Sequence, residues 1–344
     1  MRVIVATTSV PFLRGGAEYL TDSLCDALAA GGHTVERFDL PFWSDYRQMP
    51  EQMMALRLLD LSGHGDRLIA IRTPGYLVRH HNKVVWFIHH HRPSFDLWGT
   101  PYQDVPSNDL GTGYREAFRS ADNLALREAS AVFVNSRRMA DRVRQYNGID
   151  SEVLYPPLRR GHGLFPGSTG DYILCPGRIV RHKRQHLCVE AMRFVTAPVR
   201  LVIAGPSDSP EYVDELERIA ADSGVADRVS VFARWIDESE KSELYAQSLA
   251  VAYAPHDEDS YGYVTLEAAQ SRKAVVTCTD SGGLLEFVEH GVSGFIASPD
   301  PVELAACFDS LWDRTVARRM GRASFDRVSE LNITWDHVLG RLLS

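Results

Sequence analysis

Three consecutive acids, Asp257, Glu258 and Asp259, precede a fourth, Glu267, in the segment His256-Asp257-Glu258-Asp259-Ser260-Tyr261-Gly262-Tyr263-Val264-Thr265-Leu266-Glu267-Ala268-Ala269. An apolar run ends just before them at Pro255, and a helical pattern opens at Gly262. The acids therefore sit at a strand–loop–helix corner, with Glu267 in the early turns of the helix. A helix start offers backbone N–H donors and a favourable dipole to a bound phosphate, and the carboxylates can grip sugar or ribose hydroxyls. A solvated acidic loop followed by a helix-start glutamate would have the same sequence. A second corner, Pro176-Gly177-Arg178-Ile179-Val180-Arg181-His182-Lys183, also follows an apolar run. At the carboxyl end of a strand, Arg178 and Lys183 can neutralise a phosphate that gains charge as it leaves. The alternative is a pair of surface cations at a helix start.

Glycine pairs mark two more corners. Gly282 and Gly283 lie in Asp280-Ser281-Gly282-Gly283-Leu284-Leu285-Glu286-Phe287-Val288, followed by Gly291 and Gly294. Gly15 and Gly16 lie in Pro11-Phe12-Leu13-Arg14-Gly15-Gly16-Ala17-Glu18. Glycines ahead of a helix let backbone amides approach a diphosphate. No G-x-G-x-x-G occurs, which argues against a nicotinamide or flavin dehydrogenase. Three adjacent histidines, His89, His90 and His91, follow another apolar run in Trp86–Pro93. Neighbours on an extended chain point to opposite sides, and no further pair sits at ligand spacing, so no zinc or other metal site is expected. His89 and His91 share one side and are candidates for a sugar contact, with a packing or acceptor-loop role as the alternative. Tyr76, His80, Arg92, Asp96, Trp98 and Tyr102 are candidates for an acceptor surface.

Short apolar runs alternating with helical patterns must position these corners, the signature of parallel sheets covered by helices. In the first half the runs are 3–7, 34–38, 68–71, 84–88 and 131–134; in the second, 172–175, 201–204, 229–232, 250–254, 274–277 and 294–297. Between the first two runs, Leu20, Leu24 and Leu28 repeat at helical spacing through Ala17–Ala30, and Gly31-Gly32 stops that helix. The pattern breaks at Leu154–Leu158, and 159–171 is rich in Gly, Arg and Pro. The expected fold class is α/β, two Rossmann-like domains facing across a cleft, since ligands bind at the carboxyl ends of such strands. The boundaries expected are 1–158, 159–325 and a closing helix in 326–344 that packs back on the body.

The 344 residues suit two domains of roughly 150–170 residues. Apolar content of 44% and charged content of 24% are those of a globular protein. No stretch approaches the roughly 20 apolar residues that span a bilayer, and Met1–Ala6 runs into a strand pattern rather than a signal peptide. Five scattered cysteines without a CxxC fit a reduced cytoplasmic protein. Residues 1–160 hold 19 Lys and Arg against 18 Asp and Glu, and the remainder 18 against 27. No basic footprint for nucleic acid is visible; the Arg-rich front half suits either plain solvation or peripheral contact with an anionic membrane face.

The acidic corner resembles the Glu-x7-Glu motif of glycosyltransferase family 4, written E-G-F-G-x-x-x-L-E-A. Alignment on Gly262 and Glu267 sets Asp259 where the family has its first glutamate, with Glu258 one residue earlier. Pro176–Lys183 resembles the G-R-x-x-x-x-K element, 281–294 the S-G-G-x-x-E-x-x-x-x-G-x-x-G stretch, Gly15–Glu18 the G-G-x-E loop, and His89–Arg92 the H-x-H-R element of some bacterial members. The resemblance implies a metal-independent, retaining GT-B hexosyltransferase without a cofactor, using a nucleotide-diphosphate sugar, GDP- or UDP-linked. It implies Arg178 and Lys183 on the leaving diphosphate, Glu267 on the ribose, and Glu258 or Asp259 near the transferred sugar. His89 would face that sugar, and Gly15, Gly16, Gly177, Tyr261, Gly262, Tyr263, Val264, Gly282 and Gly283 would line the donor. His91, Arg92 and Trp98 would meet a glycan or lipid-linked acceptor, of the kind used in bacterial envelope polysaccharide synthesis. The alternatives are an inactive nucleotide-sugar-binding partner subunit of the same fold, or an epimerase or phosphorylase.

Overall fold

Strand-length runs of Val, Ile, Leu and Ala that are apolar on both faces need cover on both sides, and helices supply it. The computed structural model describes residues 1–344 apart from Leu13, Arg14, Ser44, Pro101, Tyr102, Asp104 and Asp259. The chain forms two compact units, 1–160 with 333–344, and 161–332.

In the first unit the chain runs through β1 (Arg2–Ser9), α1 (Gly16–Ala30), β2 (Thr34–Pro41), α2 (Met49–Leu58), β3 (Arg67–Ala70) and β4 (Lys83–Phe87). It continues through α3 (Asp109–Arg127), β5 (Ala131–Val134), α4 (Arg137–Asn147) and a short β6 (Glu152–Val153). The strands are parallel, in the order β2-β1-β3-β4-β5-β6. The order reverses between β1 and β3, so the loops after those two strands leave the sheet in opposite directions and open a crevice. β6 was not among the expected strands: two residues carry no periodicity.

The second unit repeats the plan with β7 (Tyr172–Pro176), α5 (Gln185–Ala191), β8 (Arg200–Ala204), α6 (Pro210–Asp222), β9 (Val229–Phe232) and α7 (Glu238–Gln247). Then come β10 (Ala250–Ala252), α8 (Tyr263–Gln270), β11 (Val275–Cys278), β12 (Gly294–Ala297), α9 (Pro301–Leu311) and α10 (Arg314–Glu330). Its parallel order is β12-β11-β10-β7-β8-β9, with the reversal between β7 and β10. The core lies between sheet and helices, where Ile173, Leu201, Ile203, Val276, Phe308 and Leu311 are fully buried. Side chains of Ser209, Asp237, Asp300 and Asp313 accept the first amides of α6, α7, α9 and α10, which sets where those helices begin.

The stretch 326–344 is divided between the units rather than forming one closing helix. Its first five residues end α10, and Asn332 turns with φ 53°. α11 (Trp335–Leu342) then packs on the first unit, its N-terminus capped by Thr334. The Trp335 indole N–H donates to the Leu158 carbonyl at 2.8 Å, and its ring meets Trp86 edge-on at 6.4 Å. Arg67, nearly buried, donates to the carbonyls of Leu342 and Ser344.

Trp335→Ala is expected to cost the first unit roughly 3–5 kcal/mol, the usual loss for a buried tryptophan. In calorimetry only that unit's transition should fall; an equal drop in the second would contradict the assignment of α11.

Candidate functional site

The second unit's crevice lies between the loops that follow β7 and β10. After β7, Gly177 (φ 106°) turns the chain, and a Cβ there would touch the Val264 methyl of α8 at 3.7 Å. The two expected corners, one basic and one acidic, are thus neighbours. Arg178 is exposed, and among the described residues its guanidinium has no hydrogen-bond or ion-pair partner; its charge acts on the Tyr253 phenol. Lys183 ends a single 3-10 turn, Arg181–Lys183. Its ammonium pairs with the Glu258 carboxylate and donates to the Tyr253 hydroxyl at 2.6 Å. Burial opposes the lysine charge, but Glu258 and Tyr253 outweigh it and hold the ammonium above the ordinary lysine range. Burial also pushes the Tyr253 phenol up to about 12.

Arg184, next in sequence and outside the sequence-based assignment, organises the crevice. It sits in the left-handed region (φ 54°), nearly buried, and grips both Asp280 oxygens at 2.7 and 2.6 Å. It also donates to the carbonyls of Ala254 and Pro255. One guanidinium therefore ties together the loops after β7, β10 and β11, and Arg184 is a positioning residue. With only sequence in hand, it is one of four basic side chains within seven residues, and its partner lies 96 residues away.

Gly262 (φ 72°) caps α8. Glu267, on that helix, is largely buried, and both its oxygens are held: Lys241 donates to one at 2.9 Å and the Tyr245 hydroxyl to the other at 2.7 Å. Burial works against the Lys241 charge, yet Glu267 and Glu238 raise it above an ordinary lysine. His162 lies within electrostatic reach of the same pair, and burial keeps its imidazole below the usual range. Lys241, Tyr245 and His162 carry no motif and escape a sequence reading.

Two expectations change. Gly282 and Gly283 were expected to bring amides to a diphosphate, but the Gly283 N–H is donated to the Glu258 carbonyl at 2.9 Å. A Cβ on Gly282 (φ 67°) would collide with that same carbonyl oxygen, so the pair serves to press the β11 loop against the acidic loop. Tyr261 was expected at the donor, but its ring is 1% exposed and packs on Phe287 at 5.8 Å. Tyr263 and Val264 are half-buried in the first turn of α8. Asp259 lies outside the described residues.

In the first unit, Gly15 and Gly16 are exposed at the start of α1, after β1. The Gly15 N–H donates to Glu18 at 2.9 Å, and Glu18 binds Arg72, which follows β3, at 2.5 Å. The Gly15 amide is thus spent on a helix cap rather than offered to a ligand. His89, after β4, donates Nδ1–H to the His90 carbonyl at 2.7 Å, leaving Nε2 as an acceptor. Burial and the nearby Arg72 charge hold it neutral, down to about 4. His90 points the other way, into the core beside Phe87 and Phe95, and its Nε2–H meets Asn147 at 2.7 Å.

The acceptor-surface expectation is corrected at three positions. Tyr76 is 0% exposed, with its hydroxyl on the buried Asp122 at 2.5 Å. His80 is buried and bonded to the His64 carbonyl. The Asp96 side chain is 4% exposed and sits between Arg92 (2.7 Å) and Arg142 (3.5 Å). These polar side chains are consumed in holding loops, which sequence patterning cannot distinguish from presenting them to solvent. Trp98 lies under Arg115 at 5.0 Å, and His91 bonds Ser94 at 2.7 Å. Tyr102 lies outside the described residues. Among the described residues no cluster of three His, Cys, Asp or Glu could hold a metal, and no helix is long and apolar enough to cross a membrane.

The family described as glycosyl transferases group 1 has a sequence model that matches residues 164–324. The mouse alpha-1,3/1,6-mannosyltransferase ALG2 is 33% identical over 311 residues, covering 80% of this chain and 72% of that protein. The chain belongs to the group 1 glycosyltransferases. The human ALG2 match is 28% identical over 59% of this chain and 55% of that protein, so the chain spans about half of that relative. The alpha-maltose-1-phosphate synthase of Mycobacterium tuberculosis is 28% identical over 71% and 69%. Among solved structures, sucrose-phosphate synthase from Thermosynechococcus elongatus superposes with a TM-score of 0.77 at 18% identity, over 100% of this chain and 98% of that one. The Anabaena protein HepE, in complex with UDP and glucose, gives 0.70 at 19% over the same shares. At such identities these two establish the fold, that of GT-B enzymes. In this group 1 glycosyltransferase the basic and acidic corners both fall inside the matched region.

Arg184→Ala is expected to lower the second unit's stability by roughly 2–3 kcal/mol, the loss of charged hydrogen bonds, measured by urea denaturation. A separate test reads His90, which burial, against its bond to Asn147, keeps neutral down to about 4. The unfolded chain takes up that proton below about 6.5, so the stability His90 contributes is whole above 6.5 and is lost as pH falls to 4. Relative to His90→Gln, wild type should lose up to roughly 3 kcal/mol over that interval; a constant difference would show that His90 titrates normally.

Proposed function

We propose that this protein is a retaining glycosyltransferase that moves a hexose from a nucleotide-diphosphate sugar to a glycan or lipid-linked acceptor. The observation that carries this reading is the convergence of Arg178, Lys183, Glu258 and Glu267 on the strand-order reversal of the second sheet. Arg178, without a carboxylate partner among the described residues, and Lys183 take the diphosphate. As the bond from anomeric carbon to phosphate oxygen breaks, their charges stabilise the departing group. The acceptor hydroxyl oxygen attacks the anomeric carbon on the same face and passes its proton to the leaving phosphate oxygen.

Glu258 fills the first-acid position: its carboxylate already meets Lys183, where sugar and phosphate join. Glu267, fixed by Lys241 and Tyr245, presents a carboxylate with lone pairs to spare for the ribose hydroxyls. The start of α8 directs its amides and dipole at the phosphates. The acceptor falls to the first unit, where His89 Nε2, a neutral acceptor, suits a sugar hydroxyl and His91, Arg92 and Trp98 frame the nearby loop. The relatives' names include a GDP-mannose-dependent mannosyltransferase and a UDP-glucose complex, so both bases belong in the test. Envelope glycan assembly at the inner membrane face is the setting proposed.

UDP, GDP, ADP, CMP and dTDP should be compared by thermal shift without added metal. One nucleotide is expected to stabilise the protein, by about 2.7 kcal/mol at 100 times its dissociation constant, and Lys183→Ala to abolish the shift. Loss of donor-sugar turnover by about 10²-fold or more in the same variant would follow from removing a charge at the leaving group. A shift without any turnover of the matching nucleotide sugar would favour the inactive partner subunit; no shift at millimolar concentration would overturn the donor site.

A further inference from the structure

The corners described above occupy the carboxyl end of the second sheet. At its amino end, ahead of β10 and β11, lies a cavity of about 740 Å³ whose walls include Leu249, Ser271, Arg272, Lys273 and the α10 residues Arg318 and Arg322. That volume is within the range of small-molecule sites. Its lining holds five cations, counting Arg319, and no carboxylate. The surrounding unit is acidic, with 17 Lys and Arg against 26 Asp and Glu across 161–332. A basic concavity in an acidic unit is therefore a local arrangement rather than a consequence of composition.

The cavity is built by close backbone approach. A Cβ on Gly321 would collide with the Arg272 carbonyl, so glycine lets α10 lie directly on the turn that ends α8. Arg318 and Arg322, one helical turn apart, then project from the same face. Arg272 adopts φ 53°, a conformation arginine rarely takes, with its guanidinium 5.2 Å from the Phe325 ring. Among the described residues, Arg272, Arg318, Arg319 and Arg322 have no carboxylate within ion-pair distance, whereas arginines elsewhere in this unit, such as Arg181, Arg184, Arg200 and Arg234, do.

Two buried groups in the wall point the same way. Ser271 is 1% exposed, and its hydroxyl has no hydrogen-bond partner among the described residues. Lys273 is 3% exposed and donates to the carbonyls of Ser168, Ala246 and Ser248 at 2.8–3.0 Å, and among the described residues no carboxylate balances its charge. Burial pulls this ammonium down to about 8, a cost that a neighbouring anion offsets.

We propose that this cavity is a second ligand site that binds a phosphate-bearing anion, gripped by Arg272, Arg318 and Arg322. Guanidinium forks match phosphate oxygens in pairs. The concavity is half open, with Arg272, Arg318, Arg319 and Arg322 exposed around it and within reach of a small soluble phosphate ester. The site is distinct from the donor corners, since α8 separates them, with Gly262 at one end and Ser271 at the other.

Pyrophosphate should be titrated calorimetrically into the full chain carrying Arg178→Ala and Lys183→Ala, which removes the donor-side cations. The same titration is repeated with Arg318→Ala and Arg322→Ala added. One saturable site is expected in the first protein, weakened about tenfold or more in the second, as for the loss of charge-assisted contacts. Absence of saturable binding, or binding unaffected by the added pair, overturns the proposal. Sedimentation with phosphatidylcholine vesicles containing phosphatidic acid separates the sources. Where pyrophosphate binds, capture that depends on Arg318 and Arg322 assigns the phosphate to a lipid headgroup, and no capture assigns it to a soluble ester. Capture independent of both arginines, with no pyrophosphate site, counts against the cavity.

Discussion

Parallel strands joined by right-handed crossovers can extend a sheet in either direction from the first strand, and where the direction reverses, two loops must part. In the second unit that constraint falls between β7 and β10 and makes the crevice on which the rest of the site depends. Everything chemical there hangs on three loops leaving the carboxyl ends of β7, β10 and β11. Arg184 keeps them in register with two bonds to Asp280 and two to backbone carbonyls. The left-handed backbone it adopts is a local cost borne for a contact that only the assembled loops can return.

Charge is arranged around this staple in pairs rather than singly. Lys183 is matched to Glu258 and Lys241 to Glu267, each largely out of water. A lone buried charge would be expensive and would shed or gain a proton, whereas a matched pair stays ionised. The site's charges are therefore already formed and oriented, which limits the reorganisation that binding a charged ligand would need. Arg178 is the exception: it is exposed, and among the described residues it has no carboxylate partner.

The first unit spends its polar groups differently. Glu18 caps the Gly15 amide and binds Arg72; Asp96 lies between Arg92 and Arg142; the Tyr76 hydroxyl donates to Asp122 in the core. These arrangements hold long loops in place, and they withdraw from ligand contact several side chains whose types alone suggested it. His89 keeps one nitrogen available because its other is committed to the adjacent carbonyl.

Short apolar runs and helical patterns, broken by glycine corners, determined the two α/β units, most of their strands to within a residue or two, and the placement of Arg178, Lys183 and Glu258 after strand ends and of Glu267 on the helix that follows. These features are local, so spacing along the chain carries them. Family membership was legible for the same reason, since its motifs are short and contiguous. What only the tertiary structure decided is partnership: that Arg184 meets Asp280, that Lys241 and Tyr245 hold Glu267, that Gly282 faces Glu258, and that Tyr76 and Asp96 are interior. Those contacts join residues 22 to 96 positions apart or depend on burial. The sequence lists the charges and hydroxyls available, but only packing determines which of them are consumed by one another and which are left for a ligand.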